Sequence, residues 1–310
     1  VRKIPFTVKD ELRQSQEKSP PYGDFHCISL EQGVRVFQTT GTTGIPVRSL
    51  LSKKDWLEVY YEQFMYFMYG YGITKADTIF IPFNYGLYLA WWGIHSSFEQ
   101  GGVLVIPGGG QSSEDRIKNI LEWKPTVVCG TPTYILFLGE TAKKMGVDLS
   151  KTTVRVVITA GEPGAQVPST KKLIETTWGA KNYDDIGSTE ISNFGFECVA
   201  QTGTHVIESM FLAEVIDPKT GRTLGPGEEG ELVLLLGLLP NFLEDALLNR
   251  AQGHLLLEAF PIQPGEGLLF FGKDQFRALD VLGLGLQLFP SLFLPGLGRS
   301  ALFQELGDVP

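Results

Sequence analysis

The hexamer Thr39-Thr40-Gly41-Thr42-Thr43-Gly44 alternates hydroxyl side chains with glycines shortly after the apolar run Val34-Arg35-Val36-Phe37. Such a loop can present several hydroxyls and backbone N–H groups to one phosphate chain, because glycine lets the backbone approach without a Cβ in the way. A polar surface turn has the same composition, so the hexamer needs partners elsewhere in the chain. One is Asp185-Ile186-Gly187-Ser188-Thr189-Glu190, where hydroxyl donors precede an acid able to hold Mg2+ on a phosphate chain. A capping Ser/Thr with a helix-entry Glu is the competing reading of that segment. Two more polar turns, Gly130-Thr131-Pro132 and Ala160-Gly161-Glu162-Pro163-Gly164, lie between the two motifs.

These turns punctuate a regular alternation. Apolar runs at 77–82, 103–107, 126–129 and 154–159 read as strands, the run at 103–107 as one inside a parallel sheet. Amphipathic stretches at 53–69, 87–98, 133–144 and around 171–177, with another opened by Ser112 or Ser113, read as helices. Strands alternating with helices imply βαβ units, so the predicted fold class is α/β, with mostly parallel sheets, flanking helices and a smaller β subdomain. In such sheets ligands gather at the carboxyl ends of the strands. All four polar segments are predicted on that edge. After Thr189 the pattern turns to short strands, at 195–199, 205–208, 212–216 and, past the Asp217-Pro218-Lys219-Thr220-Gly221 turn, 230–234.

Composition narrows the function classes. The chain has 310 residues, 20% charged and 43% hydrophobic, which suits a globular protein. A formal net charge of −9 argues against a nucleic-acid partner, which requires Lys and Arg against phosphates. Cys27, Cys129 and Cys198 are odd in number and far apart, as expected of reduced thiols in the cytoplasm. The start, Val1-Arg2-Lys3-Ile4, lacks both a methionine and an export signal, so upstream sequence is expected to be missing. From Glu231 to Pro310 there is no Thr, Tyr, Trp, Cys or Met and one Lys, Lys273. That change of vocabulary divides a large domain, 1–230, from 231–310, expected to hold its end and part of a small C-terminal domain. The apolar stretch 281–298 carries Pro290, Pro295, Gln287 and Ser291, which argue against a membrane helix.

Taken together and in order, the motifs resemble those of the adenylate-forming acyl-CoA synthetases, in particular the phenylacetate-coenzyme A ligase branch. The 39–44 loop with Ile45-Pro46 resembles that family's phosphate loop, and Ile186-Gly187-Ser188-Thr189-Glu190 its Tyr-Gly-x-Ser/Thr-Glu motif. Gly161-Glu162-Pro163 resembles its adenine-side turn, Gly130-Thr131-Pro132-Thr133-Tyr134 its Gly-Thr-Pro-Ser-Tyr segment, and residues 3–12 the segment before the loop. The resemblance implies that Thr39, Thr40, Thr42 and Thr43, with Gly41 and Gly44, hold the β- and γ-phosphates of ATP. Gly161, Glu162 and Pro163, with Asp185, Ile186, Gly187 and Ser188, form the nucleotide surround. Thr189 meets the α-phosphate and Glu190 holds Mg2+. Tyr85, Tyr134, Ile191 and Phe194 line an acyl pocket for an aryl carboxylic acid such as phenylacetate. The reaction implied is ATP-dependent formation of an acyl-adenylate and transfer to coenzyme A; no membrane partner is expected, and a homodimer is compatible with it.

The sequence departs from that pattern in places. Ile186 stands where the family has an adenine-stacking Tyr, Ile45-Pro46-Val47 where a lysine follows the loop, and His254 in Arg250-Ala251-Gln252-Gly253-His254 where a ribose-binding acid belongs. The catalytic lysine of the small domain has no counterpart, which keeps a catalytically incomplete nucleotide-binding module as the alternative. A Walker-type loop is excluded because no Lys-Ser/Thr follows Gly44. A zinc site on Cys198, His205 and a third ligand such as Cys129 fits no common spacing.

Overall fold

The computed structural model describes residues 6–39, 41, 44–164, 166–236, 257–261 and 268–269. The first element is helix α1 (Lys9–Lys18), followed by the antiparallel pair β1 (Gly33–Gln38) and β2 (Arg48–Ser52) on either side of the Thr/Gly loop. A π-helical turn, Asp55–Val59, leads into α2 (Tyr60–Gly70), so the helix predicted over 53–69 begins with a wider turn. Then come β3 (Thr78–Ile81), α3 (Leu89–Gln100), β4 (Leu104–Pro107), α4 (Ser113–Trp123), β5 (Val127–Gly130), α5 (Pro132–Lys144), β6 (Val156–Thr159), α6 (Pro168–Trp178) and β7 (Lys181–Ser188). The β-rich part holds β8 (Ser192–Glu197), β9 (Thr204–Val206), β10 (Phe211–Ile216), β11 (Glu231–Leu236), β12 (Leu257–Pro261) and β13 (Leu268–Leu269).

One sheet of 8 strands runs β13-β9-β8-β7-β6-β5-β3-β4. From β4 through β7 every pair is parallel; β7, β8 and β9 pair antiparallel. A second sheet, β10-β11-β12, is antiparallel throughout. The predicted α/β class is therefore the observed one. Among the described residues no helix is long and apolar enough to cross a membrane.

Period-two alternation builds the layers. Ile79, Ile81, Val127, Cys129, Val156, Ile158 and Tyr183 pack with Phe64, Phe67, Trp91, Ile94 and Phe98 of α2 and α3. Their neighbours Phe80, Val128 and Val157 face the other way, onto Ile117, Ile120, Ile135, Leu138, Ile174 and Trp178 of α4, α5 and α6. Local signals end the helices where the sheet needs them. Ser112 Oγ caps α4 by accepting from the Asp115 N–H at 3.1 Å, and Pro132 opens α5 behind Thr131.

Two expectations are corrected. The run at 103–107 does not lie inside the sheet: among the described residues β4 is its edge, paired only with β3, and Leu104 is 64% exposed. A short apolar run has the same look at an edge as at a centre, so the pattern could not separate them. Residues 186–188 are the end of strand β7 rather than a loop, and Thr189, Glu190 and Ile191 turn the chain into β8.

Asp77 fastens the far, amino-terminal end of the parallel strands. Its carboxylate accepts from Arg155 Nε at 3.0 Å and Nη2 at 2.6 Å, from Thr126 Oγ1 at 2.7 Å and from the Thr74 N–H at 2.9 Å. Burial pushes the Asp77 carboxyl up, but these hydrogen bonds outweigh it and hold it below its ordinary value. Asp77→Asn is expected to cost about 1.5–3 kcal/mol, the range for hydrogen bonds to a charged group, measured by chemical denaturation at neutral pH. Because the folded carboxyl titrates lower than the unfolded one, this increment is full above the unfolded value and is lost as pH falls through the folded value. The gap between wild type and variant should close in acid.

Candidate active site

Parallel pairing brings the carboxyl ends of β3, β5, β6 and β7 to one edge, and the predicted turns leave from there. The Thr/Gly loop joins them through its first anchor: the Gln38 N–H donates to the Leu87 carbonyl, in the loop after β3, at 3.0 Å. Thr39 is 7% exposed and closes the loop's mouth, its N–H donating to the Val47 carbonyl at 2.9 Å and its Oγ1 accepting from the Val47 N–H at 3.0 Å. Gly41 has φ +70°, and a Cβ there would lie 2.9 Å from the Gly44 carbonyl oxygen, so the turn admits only glycine without adjustment. Thr40, Thr42 and Thr43 lie outside the described residues.

The β6 turn is tied to the start of α5. Glu162 accepts from the Thr133 N–H at 3.0 Å and from Thr133 Oγ1, at the positive end of that helix. Burial pushes its carboxyl up, while hydrogen bonds from Thr133 and Thr131 outweigh this and leave it below the ordinary value. Beside it Gly161 has φ +87°, and a Cβ would come within 2.9 Å of Tyr88 Oη, leaving backbone open at the strand end. Pro163 is exposed next to it.

Strand β7 carries buried acids, of which the sequence pointed only to Asp185. Asp185, 5% exposed, accepts from Asn193 Nδ2 across the antiparallel pair, and its Oδ2 has no partner. Asp184, 7% exposed, accepts from Thr159 Oγ1 at 3.2 Å. Glu197 on β8 is 4% exposed and takes Lys171 Nζ at 2.7 and 2.8 Å. Burial raises the Asp185 carboxyl to about 8, with repulsion from Asp184 adding to it and Asn193 opposing. Asp184 rises to about 7 by burial first, Glu197 pushing it further.

At the turn that follows, Ser188 Oγ accepts from the Ile191 N–H at 3.4 Å. A register shift between Ile186 and Gly187 re-aims the end of β7, and a Cβ on Gly187 would meet Asn193 Oδ1 at 2.6 Å. The Glu190 side chain is 2% exposed, and Lys9 Nζ of α1 stands 2.9 Å from its Oε1. A buried carboxylate already facing one cation is a donor suited to a cation such as Mg2+. Sequence reading missed Lys9, whose only signal was the family-like segment 3–12.

The four acyl-pocket candidates separate. Tyr85 Oη meets His95 Nδ1 at 3.1 Å, and His95 Nε2 faces Glu99 Oε1 at 3.1 Å. Tyr134 receives a hydrogen bond from Arg116 and packs edge-on against Phe83, centroids 4.9 Å apart. Tyr85 belongs to the core beneath α2 and α3, and Tyr134 packs against the opposite one. Ile191 and Phe194 are both buried in a third cluster, with Val206, Phe211, Val215 and Leu232. For the zinc reading, no group of three His, Cys, Asp or Glu able to hold a metal occurs among the described residues. Cys129 is buried in β5 and the His205 ring rests on Phe196 at 5.5 Å. The segments around Arg250, Lys273 and Ser291 lie outside the described residues.

Residues 5–235 match the family model described as AMP-binding enzyme. The phenylacetate-coenzyme A ligase of Aromatoleum evansii is 33% identical over 239 residues, 75% of this chain and 52% of that protein. Its namesake from Escherichia coli K12 is 30% identical over 240 residues, again 75% of this chain and 52% of the relative. The chain thus spans about half the length of the curated relatives it matches. Among solved structures, an open conformation of 2-hydroxyisobutyryl-CoA ligase in complex with 2-HIB-AMP and CoA superposes with a TM-score of 0.70 at 27% identity, over 75% of this chain and 54% of that one. A long-chain-fatty-acid-CoA ligase from Archaeoglobus fulgidus shares the fold, with a TM-score of 0.53 at 21% identity, over 64% of this chain and 41% of that one.

The raised Asp184 and Asp185 carboxyls bind protons in the folded protein that the unfolded chain releases above about pH 4. Stability must therefore fall as pH rises from there through the folded values of about 7 and 8. Thermal unfolding midpoints are expected to decline over that interval in wild type and to decline less in Asp185→Asn; equal slopes would remove Asp185 as the source.

Proposed function

The chain belongs to the family of AMP-binding enzymes, and from that premise we propose that it is the large-domain part of an acid–thiol ligase that activates a carboxylic acid with ATP and passes the acyl group to coenzyme A. The observation that carries this reading is the meeting of the Thr39, Glu162 and Glu190 segments on the carboxyl edge of one parallel sheet, with Glu190 buried and facing a cation. The phenylacetate-coenzyme A ligases among its relatives support an aryl acid, phenylacetate first.

In this reaction a carboxylate oxygen attacks the α-phosphorus of ATP, the bond to the β-phosphate oxygen breaks, and pyrophosphate leaves with the electron pair. The thiol of coenzyme A then adds to the acyl carbon, loses its proton, and AMP departs. The acid is already a nucleophile, so the protein contributes position and charge stabilisation. Hydroxyls and N–H groups of the 39–44 loop hold the β- and γ-phosphates, and Thr189 donates to the α-phosphate. Gly161, Glu162 and Pro163 flank the adenine, Glu162 being stiffened by Thr133. Glu190 would hold Mg2+, which would supply positive charge against the charge developing on the phosphates. Tyr85, Tyr134, Ile191 and Phe194 would border the acyl group. Residues 1–230 would make up the large domain and 231–310 its end and part of a small C-terminal domain, and the free thiols among the described residues favour a cytoplasmic protein.

ATP–pyrophosphate exchange tests the reading, driven by phenylacetate, benzoate, 2-hydroxyisobutyrate and aliphatic acids in turn. Exchange is expected with phenylacetate. Glu190→Gln should lower it by about 100-fold or more, the scale of removing one group that stabilises transition-state charge, with an unchanged circular dichroism spectrum. ATP binding without exchange for any acid would defeat the ligase reading for this chain.

A further inference from the structure

Helix α1 stands outside the alternating core, yet one of its faces touches both sides of the candidate site. Lys9, Leu12 and Gln16 follow the i, i+3, i+7 spacing of a single helix face. Gln16, 6% exposed, donates from Nε2 to the Arg48 carbonyl at 2.8 Å and accepts from the Arg48 N–H at 3.0 Å. That fixes the helix to β2, the strand leaving the Thr/Gly loop. Leu12 is buried, 4% exposed, in the middle of this face. Two turns from Gln16, Lys9 reaches Glu190 Oε1 at 2.9 Å. Oε1 is sealed from solvent and has no aligned hydrogen-bond donor, so the pair is held by charge.

We propose that Lys9 is an internal counter-cation for Glu190, a positioning residue that neutralises the acid in the metal-free protein and competes with the divalent metal for it. The proposal rests on the reading of Glu190 as the metal-holding acid. A charged carboxylate this buried is costly without a cation beside it. Mg2+ binds oxygen at about 2.0–2.1 Å, so a metal on Oε1 and an ammonium still in place would share one oxygen and repel each other, each weakening the other's hold on Glu190. The Lys9 side chain is 41% exposed on a flexible stem, so it can swing into solvent while Gln16 keeps the helix where it is. Lys9 thereby sets how much metal is needed before nucleotide binds well.

The test is binding of α,β-methylene-ATP, whose bridge cannot be cleaved in the reaction, titrated with Mg2+. In Lys9→Met and Lys9→Gln the half-saturating Mg2+ is expected to fall about tenfold, the loss of a competitor worth one decade of affinity. Lys9→Arg, which keeps the charge, should stay within about twofold of wild type. An unchanged or raised requirement in the two neutral variants overturns the proposal; a rise would mean that Lys9 works with the metal on the phosphates. Glu190→Gln should give a flat Mg2+ response. A wild-type response there overturns the metal role of Glu190 and this proposal with it, whereas a flat response beside unchanged Lys9 variants sinks the proposal alone. Without metal, Lys9→Met should lower the thermal midpoint in wild type and not in Glu190→Gln; an equal drop in both counts against the pairing.

Discussion

Four carboxylates, Asp184, Asp185, Glu190 and Glu197, are buried along β7, its turn and β8, and the local structure is arranged to tolerate them. Each is met differently. Glu197 has the Lys171 ammonium, Asp184 the Thr159 hydroxyl, Asp185 the Asn193 amide, and Glu190 the Lys9 ammonium. Asp184 and Asp185 are hydrogen-bonded by neutral donors, and their carboxyls are pushed up because such a bond offsets burial incompletely. This strand lies between the parallel part of the sheet and its antiparallel continuation, so the acids sit where the two packing regimes meet.

Little of this acid is left uncompensated near neutral pH: Asp184 and Asp185 hold their protons up to about 7 and 8, and Glu190 and Glu197 each face a lysine. The Glu162 turn is held on a different principle. Its carboxylate is committed to the first turn of α5, so it fixes loop shape instead of offering a free charge. Charge that is used and charge that is available are thus separated along the edge.

The legible parts of the sequence were those where turn chemistry and apolar runs agree. Gly130-Thr131-Pro132 and Gly161-Glu162-Pro163 leave their strands where the alternation predicted, because a parallel strand ending in Gly or Pro has few other outcomes. Strand β7 was missed because Asn182, Asp184 and Asp185 give no apolar period; its burial is tertiary, created by neighbours that bond each polar group. Phe194 packs against Phe211 in a buried cluster, a tertiary contact that nothing local to a phenylalanine announces. The hydroxyls of Thr40, Thr42 and Thr43, the strongest sequence signal, fall outside the described residues, so the loop is known from its anchors at Gln38, Thr39 and Val47.

Those anchors bear on how the two halves of the edge are held in register. Among the described residues the β1–β2 pair has no strand pairing with the large sheet, and it is held by other contacts: Gln38 to the loop after β3, Phe37 against Trp56, and Gln16 of α1 to Arg48. Through α1 the last of these continues to Lys9 and Glu190, which makes a helix outside the core the bridge between the Thr/Gly-loop hairpin and the acidic turn. A bridge of one amide pair and one charge pair is weaker than a strand ladder, and its charged end can exchange partners without disturbing the amide end. The hairpin can then keep its place while the charge at Glu190 changes hands, which a fully paired sheet edge would not need and a fully loose segment could not ensure.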